Sequence, residues 1–116
     1  MKCVVTGGAG FVGSNLTNIL RRKGYRVKVI DNFSTGRIEN LCDVKGIEVV
    51  KGDVRDLNLL KEHFSGADIV FHLAVKCVNL SLSNPNLVHE VNAKGTLNVC
   101  RASLFCRVDK LLYVSS

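Results

Sequence analysis

The chain has 116 residues, of which 47% are hydrophobic and 22% charged, and its formal net charge is +6. This length allows one domain, and the composition excludes a disordered chain. One proline and ten glycines exclude collagen-like and low-complexity classes. No apolar run reaches the roughly 20 residues of a membrane span, and the apolar start before the first glycines is too short for a signal peptide.

The cysteines and histidines give no sign of a disulfide framework or a metal site. Five cysteines are an odd number and no pair has CxxC spacing, so we expect a reduced, cytoplasmic protein. His63, His72 and His89 form no ligand cluster with the cysteines, and we predict no metal.

Five of the sixteen basic residues lie within positions 21–28. Cations suit the C-terminal end of a helix, where they interact favourably with its dipole, and we assign this run to such an end and the strand after it. The alternative, a nucleic-acid-binding patch, lacks interleaved aromatic residues. We therefore expect no nucleic-acid partner.

Strand-like and helix-like segments alternate along the chain. Apolar runs rich in β-branched residues predict strands at 1–6, 26–31, 46–51, 68–73 and 111–115. Between them we predict a helix that ends at Gly24, a short helical turn at 35–41, and helices at 56–64 and 84–105. In the first helix Val12, Leu16, Ile19 and Leu20 fall on one face, and Gly95 in the last would permit close approach to a sheet.

This alternation predicts the architecture. Strand–helix–strand units connect parallel strands in the right-handed sense, and strands that are apolar on both faces require helices on both sides of the sheet. We therefore predict one α/β domain over residues 1–116, with a parallel sheet in the strand order 3-2-1-4-5.

A glycine-rich motif, TGGAGFVG at 6–13, follows the first strand and opens the first helix. Gly7 suits a tight turn, Gly10 removes a Cβ where a pyrophosphate would approach the backbone, and Gly13 permits close helix packing. The helix N-terminus offers free N–H groups and a positive dipole end to phosphates. The motif favours a dinucleotide site on a Rossmann-type, doubly wound sheet; the simpler interpretation is a tight turn without a ligand.

Two aspartates follow the second and third strands. Asp31 lies 21 residues after Gly10, where a carboxylate accepts both adenosine-ribose hydroxyls and repels the 2′-phosphate of NADP, which favours NAD. Alternatively, Asp31 caps the loop DNFSTG. Asp53 either accepts from the adenine amino group or bonds its own backbone in a turn.

Two polar residues, His72 and Asn92, lie in the fourth strand and in the helix that follows it. His72 ends the fourth strand, and we interpret it as a hydrogen-bonded strand-end histidine rather than a catalyst. Asn92 interrupts an apolar helix stripe, and a buried amide must be paired. It either bonds backbone at the active-site end or ties the helix to a strand.

Six segments in order resemble the N-terminal part of an extended short-chain dehydrogenase/reductase of the NAD-dependent nucleotide-sugar epimerase/dehydratase group. They are TGGAGFVGSNL, DNFSTG, GDVRD, HLAV, NPNLVHEVNAKGTLNV and LLYVSS, and they span essentially the whole chain. The set is specific for the family and much less so for one member.

The resemblance implies NAD as cofactor, which takes a hydride from a sugar carbon and often returns it. The implied contacts are Gly7, Gly10, Phe11 and Val12 at the pyrophosphate, Asp31 at the ribose, Asn32, Ser34, Thr35 and Gly36 on the adenosine side, Asp53 and Val54 at adenine, and Leu73, Ala74 and Val75 along the inner cofactor. With Gly13 and Asn92 these residues form the predicted cofactor set, and Ser116 best matches the serine or threonine that assists catalysis.

The family's general base, the tyrosine of a YxxxK motif, has no counterpart here. Tyr25 has Lys28 three residues on rather than four, and Tyr113 stands near the end of the sequence. We expect the chain to be truncated before the sixth strand and the C-terminal substrate domain, and to be inactive alone, with a nucleotide sugar bound only when the rest of the enzyme is present.

Two hypotheses remain open at this stage. The chain is either the truncated cofactor domain of such an enzyme or a stand-alone, non-catalytic NAD-binding or interaction module. The unpaired edge of the fifth strand and the helix at 84–105 predict a homo-oligomer.

Overall fold

The computed structural model describes residues 1–41, 44–76 and 78–114. Its sheet is parallel throughout, in the order β3-β2-β1-β4-β5. The strands are β1 (Lys2–Thr6), β2 (Arg26–Asp31), β3 (Ile47–Lys51), β4 (Ile69–His72) and β5 (Lys110–Tyr113). The predicted strand order is confirmed, although β5 begins one residue earlier than predicted and the predicted Ser115 lies outside the described residues.

The helices follow the predicted alternation, with one addition. They are α1 (Phe11–Arg22), α2 (Leu57–Phe64), α3 (Val78–Ser83), α4 (Pro85–His89) and α5 (Gly95–Phe105), and 3₁₀ turns occupy Ile38–Asn40 and Val44–Gly46. A π-helical turn, Glu90–Lys94, joins α4 to α5, and the linking residues keep right-handed helical angles, so the three form one continuous helix. The sequence did not predict α3 or the π turn.

Local signals fix most of the boundaries. The side chain of Asp56 accepts from the Leu59 N–H at the start of α2, and that of Asn84 accepts from the Leu87 N–H at the start of α4. Gly24 and Gly66 follow the ends of α1 and α2 with φ of +89° and +76°, the left-handed conformation that glycine adopts without a steric penalty.

Two apolar clusters cover opposite faces of the sheet, as a doubly wound fold requires. One joins Val4, Ile30 and Val70 of the sheet to residues of α2 and α5. The other joins Cys3, Val5, Val27 and Val29 to Leu20 of α1. The described part of the chain contains no helix long and apolar enough to cross a membrane.

The buried face of α1 differs from the predicted apolar stripe. Val12 and Ile19 are exposed, whereas the buried positions are Gly13, Ser14, Thr17, Asn18 and Leu20. The helix lies against the turn that follows β1, where small side chains are needed for close approach. In and after the first 3₁₀ turn, Ile38 is also exposed, whereas Leu41 is buried.

Candidate functional site: a cleft at the carboxyl edge of the sheet

The turn between β1 and α1 forms the floor of the site. Gly7 has φ +72°, and a Cβ there would lie 2.8 Å from the Ala74 backbone nitrogen, so glycine also lets this turn touch the segment after β4. The Gly7 N–H donates to the Ile30 carbonyl over 2.8 Å, which ties the turn to β2. The predicted tight turn is present and joins three strand ends.

Gly13 and Gly10 serve different purposes. A Cβ on Gly13 would lie only 2.1 Å from the Gly7 carbonyl oxygen, so glycine is needed for α1 to pack on the turn. A Cβ on Gly10 would meet only that same oxygen, at 3.4 Å, and the backbone of Gly10 is extended, with φ −76°. The contacts of the described residues therefore do not require glycine at position 10.

The N-terminus of α1 faces the cleft with no side-chain cap. Gly10 occupies the N-cap position, so no side chain accepts from the first N–H groups of this 12-residue helix. These groups lack intrahelical partners and carry the positive end of the helix dipole. This end of the cleft therefore favours an anion through backbone N–H groups and the helix dipole.

Asp31 both caps the loops around it and borders the cleft. One carboxylate oxygen accepts from the Ala9 N–H over 3.0 Å and the other from the Phe33 N–H over 2.8 Å, and the residue is 8% exposed. The capping alternative is therefore realised. Because a carboxylate has about four acceptor positions, these two bonds leave capacity for ribose hydroxyls.

Asp53 is held mainly by Arg55, two residues further on. Arg55 donates to its carboxylate from the backbone N–H, from Nε and from one terminal nitrogen over 2.9, 3.0 and 2.7 Å, and Asn32 Nδ2 donates over 3.3 Å. The Arg55 side chain lowers the pKa of Asp53 to about 2. The turn interpretation of Asp53 is thus realised, and its carboxylate also lines the cleft.

His72 belongs to a buried hydrogen-bond chain whose directions can be assigned. Thr6 Oγ1 accepts from the N–H groups of Leu73 and Ala74 over 3.2 and 3.3 Å, so its own hydrogen is donated to His72 Nδ1 over 2.6 Å. Since Nδ1 accepts, the ring hydrogen lies on Nε2. Burial lowers the pKa of His72 to about 4, so the ring is neutral at pH 7.

The other side of the His72 ring reaches the π turn. Nε2 donates to Thr96 Oγ1 over 3.0 Å, and the Thr96 hydroxyl donates to the Asn92 carbonyl over 2.6 Å. The ring of Tyr113 stacks on His72 with centroids 5.8 Å apart. These contacts place His72 as the strand-end structural histidine that was predicted.

The Asn92 side chain clamps the segment after β4. Its Oδ1 accepts from the Lys76 N–H over 2.8 Å and its Nδ2 donates to the Lys76 carbonyl over 3.1 Å. Of the two alternatives for Asn92, the structure shows the backbone contact at the cleft end. The Lys76 ammonium in turn donates to Ser34 Oγ over 2.5 Å and links the two rims of the cleft.

These elements enclose a cavity of about 580 Å³ at the carboxyl edge of the sheet. All but one of the predicted cofactor residues line it: Gly7, Gly10, Phe11, Val12, Gly13, Asp31, Asn32, Ser34, Thr35, Asp53, Val54, Leu73, Ala74, Val75 and Asn92. The sequence-based set is therefore brought together in space, whereas the role of each residue toward NAD stays a prediction.

Two placements differ from those that the sequence suggested. Gly36 does not line the cavity; it is buried behind it, where a Cβ would lie 2.9 Å from an Asp31 carboxylate oxygen. Gly95 packs on Val54 rather than on the sheet, since a Cβ would approach a Val54 methyl to 2.6 Å. Ser116, the catalytic candidate, lies outside the described residues.

The sequence did not single out some residues of the lining, among them Lys76, Val91, Tyr113 and Val114. Tyr113 was assessed only as a possible base and Val114 only as part of a strand. Position at the carboxyl end of β5 is the signal that places both in the cleft.

Metal-binding residues are not gathered at this edge. Within residues 1–41, 44–76 and 78–114 no group of three or more His, Cys, Asp or Glu side chains is placed to hold an ion. Of the cysteines in those ranges, Cys3, Cys100 and Cys106 are free thiols, and burial raises the pKa of Cys3.

Comparison with known proteins identifies the family of this fold and motif set. The sequence model of the NAD dependent epimerase/dehydratase family matches residues 3–116. A putative UDP-glucose 4-epimerase from Methanocaldococcus jannaschii is 36% identical over 115 residues, which cover 97% of this chain and 37% of that protein.

Solved structures similar to this chain support the same family. The UDP-glucose 4-epimerase of Thermotoga maritima, solved with UDP-glucose, superposes with a TM-score of 0.94 at 33% identity, over 100% of this chain and 38% of its own. The UDP-glucose 4-epimerase of Thermus thermophilus, solved with NAD, has a TM-score of 0.88 at 38% identity, over 96% and 36%. The chain thus spans less than two-fifths of the length of these relatives. It belongs to the NAD-dependent epimerase/dehydratase family.

Proposed function

We propose that this chain binds NAD in the carboxyl-edge cleft, as the cofactor-binding part of a nucleotide-sugar epimerase or dehydratase. The observation that carries the proposal is Gly10 at the uncapped N-terminus of α1. Its missing Cβ has no explanation in packing, and it opens the backbone to an anion. The fit is to a dinucleotide because Asp31 stands at the end of the neighbouring strand.

Different residues of the cleft would bind different parts of the cofactor. The N-terminus of α1 would bind the pyrophosphate, and the remaining acceptor positions of Asp31 would take ribose hydroxyls. Leu73, Ala74 and Val75 would line the inner half of the cofactor, supported by the Asn92 clamp on Lys76. When bound, NAD supplies a reversible hydride acceptor.

Turnover of a nucleotide sugar is proposed only for a longer protein. Tyr25 has Val29 four positions on, and for Tyr113 that position falls beyond residue 116. The ring of Tyr113 stacks on His72 in the cleft. Without a base, catalysis loses about 10²–10⁴-fold. Ser116 remains the proposed assisting hydroxyl, and conversion of UDP- or dTDP-hexoses by the purified 116-residue chain would contradict this interpretation.

Titration calorimetry with NAD and NADP tests the cofactor. We expect weak NAD binding, tighter than that of NADP, and loss of binding in Gly10→Val with the unfolding transition preserved. Glu62→Val, which places the same residue at an exposed position of α2 outside the cleft, is the matched control and should bind as the parent does. Absence of NAD binding by the parent, or equal binding by Gly10→Val, would refute the proposal.

The alternative is a stand-alone NAD-binding or interaction module. The coding sequence after Ser116 separates the two. An in-frame continuation that contains a YxxxK motif favours the enzyme, and an early stop codon favours the module. A cytoplasmic location stays a prediction in either case.

We also propose self-association. Leu104 and Phe105 at the end of α5 are 83% and 67% exposed, and Leu112 and Tyr113 lie on β5, the edge strand of the described sheet. Exposed apolar surface and an unpaired strand edge both favour a partner. Light scattering at micromolar concentration should show a homodimer that Leu112→Lys weakens, and a monomer of 12.7 kDa would contradict this.

A further inference from the structure

The N–H and the carbonyl of Ala9 are both held by groups outside the glycine turn. The N–H donates to an Asp31 carboxylate oxygen over 3.0 Å, and the carbonyl accepts from the Arg37 N–H over 3.0 Å and from Asn40 Nδ2 over 2.8 Å. Positions 7, 8 and 10 of the turn are glycine, which restricts the backbone least of all residues. The contacts at Ala9 therefore restrict a segment that its own residue types leave flexible.

Asn40 makes the shorter of the two bonds to the Ala9 carbonyl, and it does so with its side chain. The residue ends the first 3₁₀ turn, and the next residue, Leu41, is buried in the apolar cluster that contains Leu20 of α1. The Asn40 carbonyl also accepts from Asn18 Nδ2 of α1 over 3.2 Å. Asn40 lies outside the lining of the cleft, so its amide reaches Ala9 from a fixed position behind the site.

The bond at Ala9 affects the N-terminus of α1 through the peptide unit that follows. A peptide unit is planar, so the direction of the Ala9 carbonyl fixes that of the Gly10 N–H, which donates to the Gly7 carbonyl over 3.2 Å. The Gly10 carbonyl accepts from the Ser14 N–H over 2.9 Å and begins the hydrogen bonding of α1. Asn40 thus holds the peptide unit from which the helix starts, and with it the direction of the first N–H groups.

We propose that Asn40 is a positioning residue for the anion site: it contacts no part of the ligand, and it fixes the turn in the conformation that receives a diphosphate. The inference rests on the proposed NAD binding and adds a residue that the predicted cofactor set does not contain. A turn that is already ordered in the free protein spares the complex the cost of ordering it. Loss of the Asn40 amide should therefore weaken the binding of ligands that carry a diphosphate.

The adenosine end of the ligand provides an internal reference. Asp31, proposed to take ribose hydroxyls, is also held by the Phe33 N–H over 2.8 Å, and this bond does not involve the turn. The Asp31 carboxylate should therefore keep its position when the turn is released. Adenosine and ADP differ only by the diphosphate, so the ratio of their affinities isolates the effect on the turn. A general loss of folding would lower both affinities and leave their ratio unchanged.

Ligand-observed NMR titrations with ADP and adenosine measure this ratio in the parent and in Asn40→Ala. We expect Asn40→Ala to weaken ADP binding about fivefold, the value of one hydrogen bond, and adenosine binding by less than about twofold. The affinity for NAD should fall by the same factor as that for ADP. Asn40→Gln keeps an amide donor on a side chain one methylene longer and should recover most of the loss.

Asn86→Ala, the same substitution at an exposed position of α4, is the control and should alter neither affinity. Equal losses of ADP and adenosine binding in Asn40→Ala, or an ADP affinity equal to that of the parent, would overturn this inference while leaving NAD binding intact. A loss in Asn40→Gln as large as that in Asn40→Ala would also overturn it, because the amide bond would then not be the cause. If the parent binds neither NAD nor ADP, the proposed function and this inference fail together.

Discussion

The two edges of the sheet differ in the source of their positive charge: backbone groups at the carboxyl edge and cationic side chains at the amino edge. At the carboxyl edge the cleft offers an anion the N-terminus of α1 and glycine backbone, with Lys76 the one cationic side chain in its described lining. At the amino edge lie Lys2, Arg26 and Lys28. These cations therefore lie at the edge of the sheet opposite the proposed phosphate site.

The amino edge uses its lysines to complete a helix. Lys28, 7% exposed, donates from Nζ to the His63 carbonyl over 3.3 Å, and Lys2 donates to the Ser65 carbonyl over 3.0 Å. These carbonyls belong to the C-terminal end of α2, where orphan acceptors and the negative dipole end favour cations. Net charge alone would thus mislead a search for the anion site.

The strongest test of a backbone-built anion site is Gly13→Ala. The added Cβ would lie 2.1 Å from the Gly7 carbonyl oxygen, so α1 must move off the turn. We expect a loss of about 3 kcal/mol or more in the free energy of unfolding, as for overpacked sites, and loss of NAD binding. Urea denaturation and calorimetry measure both; a variant that keeps parental stability would show that the turn is not the rigid element.

The buried His72 network should make the carboxyl edge sensitive to acid. The pKa of His72 is lowered by burial to about 4 from 6.5, so the unfolded chain binds the proton first. Stability from the neutral ring is present above pH 6.5 and is lost as pH falls to 4, by about 3 kcal/mol at most. Denaturant titrations across this range should show the loss.

His72→Gln removes the titrating group and should flatten the dependence between pH 6.5 and 4. His89→Gln, at an exposed position of α4, should leave it unchanged. Equal slopes in the parent and in His72→Gln would show that another group carries the acid sensitivity.

Asp31→Asn separates the capping role from cofactor choice. An amide offers one acceptor oxygen where the carboxylate serves the Ala9 and Phe33 N–H groups, so one bond is lost, at about 1 kcal/mol. Removal of the negative charge should also reduce the preference for NAD over NADP about tenfold. Calorimetry with both nucleotides gives the ratio, and an unchanged ratio would leave Asp31 with a capping role alone.

The sequence predicted the elements that depend on local chemistry and missed those that depend on contacts. Asp56, Asn84 and Gly24 marked helix boundaries because capping needs only neighbours in the chain. The π turn was not predicted. Asn92 within it bonds to the Lys76 backbone and Thr96 just after it accepts from His72, and local sequence does not show such contacts.

In the candidate site, too, the sequence predicted what depends on spacing along the chain and missed what depends on tertiary contacts. Motif spacing placed the glycines and Asp31 in one cleft because parallel strands end at one edge. The spacing could not show that Gly36 packs behind Asp31, or that Arg55 donates three hydrogen bonds to the carboxylate of Asp53. The apolar stripe of α1 gave the wrong buried face for the same reason. Packing on a glycine turn requires small residues, and the spacing of large apolar residues does not reveal where the small ones are buried.

The smallest expected effect tests the amino edge. Lys28→Met keeps the length of the side chain and removes its charge, along with the bond to the His63 carbonyl and the 3.7 Å ion pair with Glu48. Because an apolar side chain of similar shape avoids the cost of burying an ammonium group, stability should change by less than about 1 kcal/mol in either direction. NAD affinity, measured at two salt concentrations, should stay within about twofold of the parent at both. A clear fall in affinity confined to low salt would show that the cations of the amino edge attract the dinucleotide through the electrostatic field of the whole protein. In that case the two edges would differ in structure, but both would contribute to NAD binding.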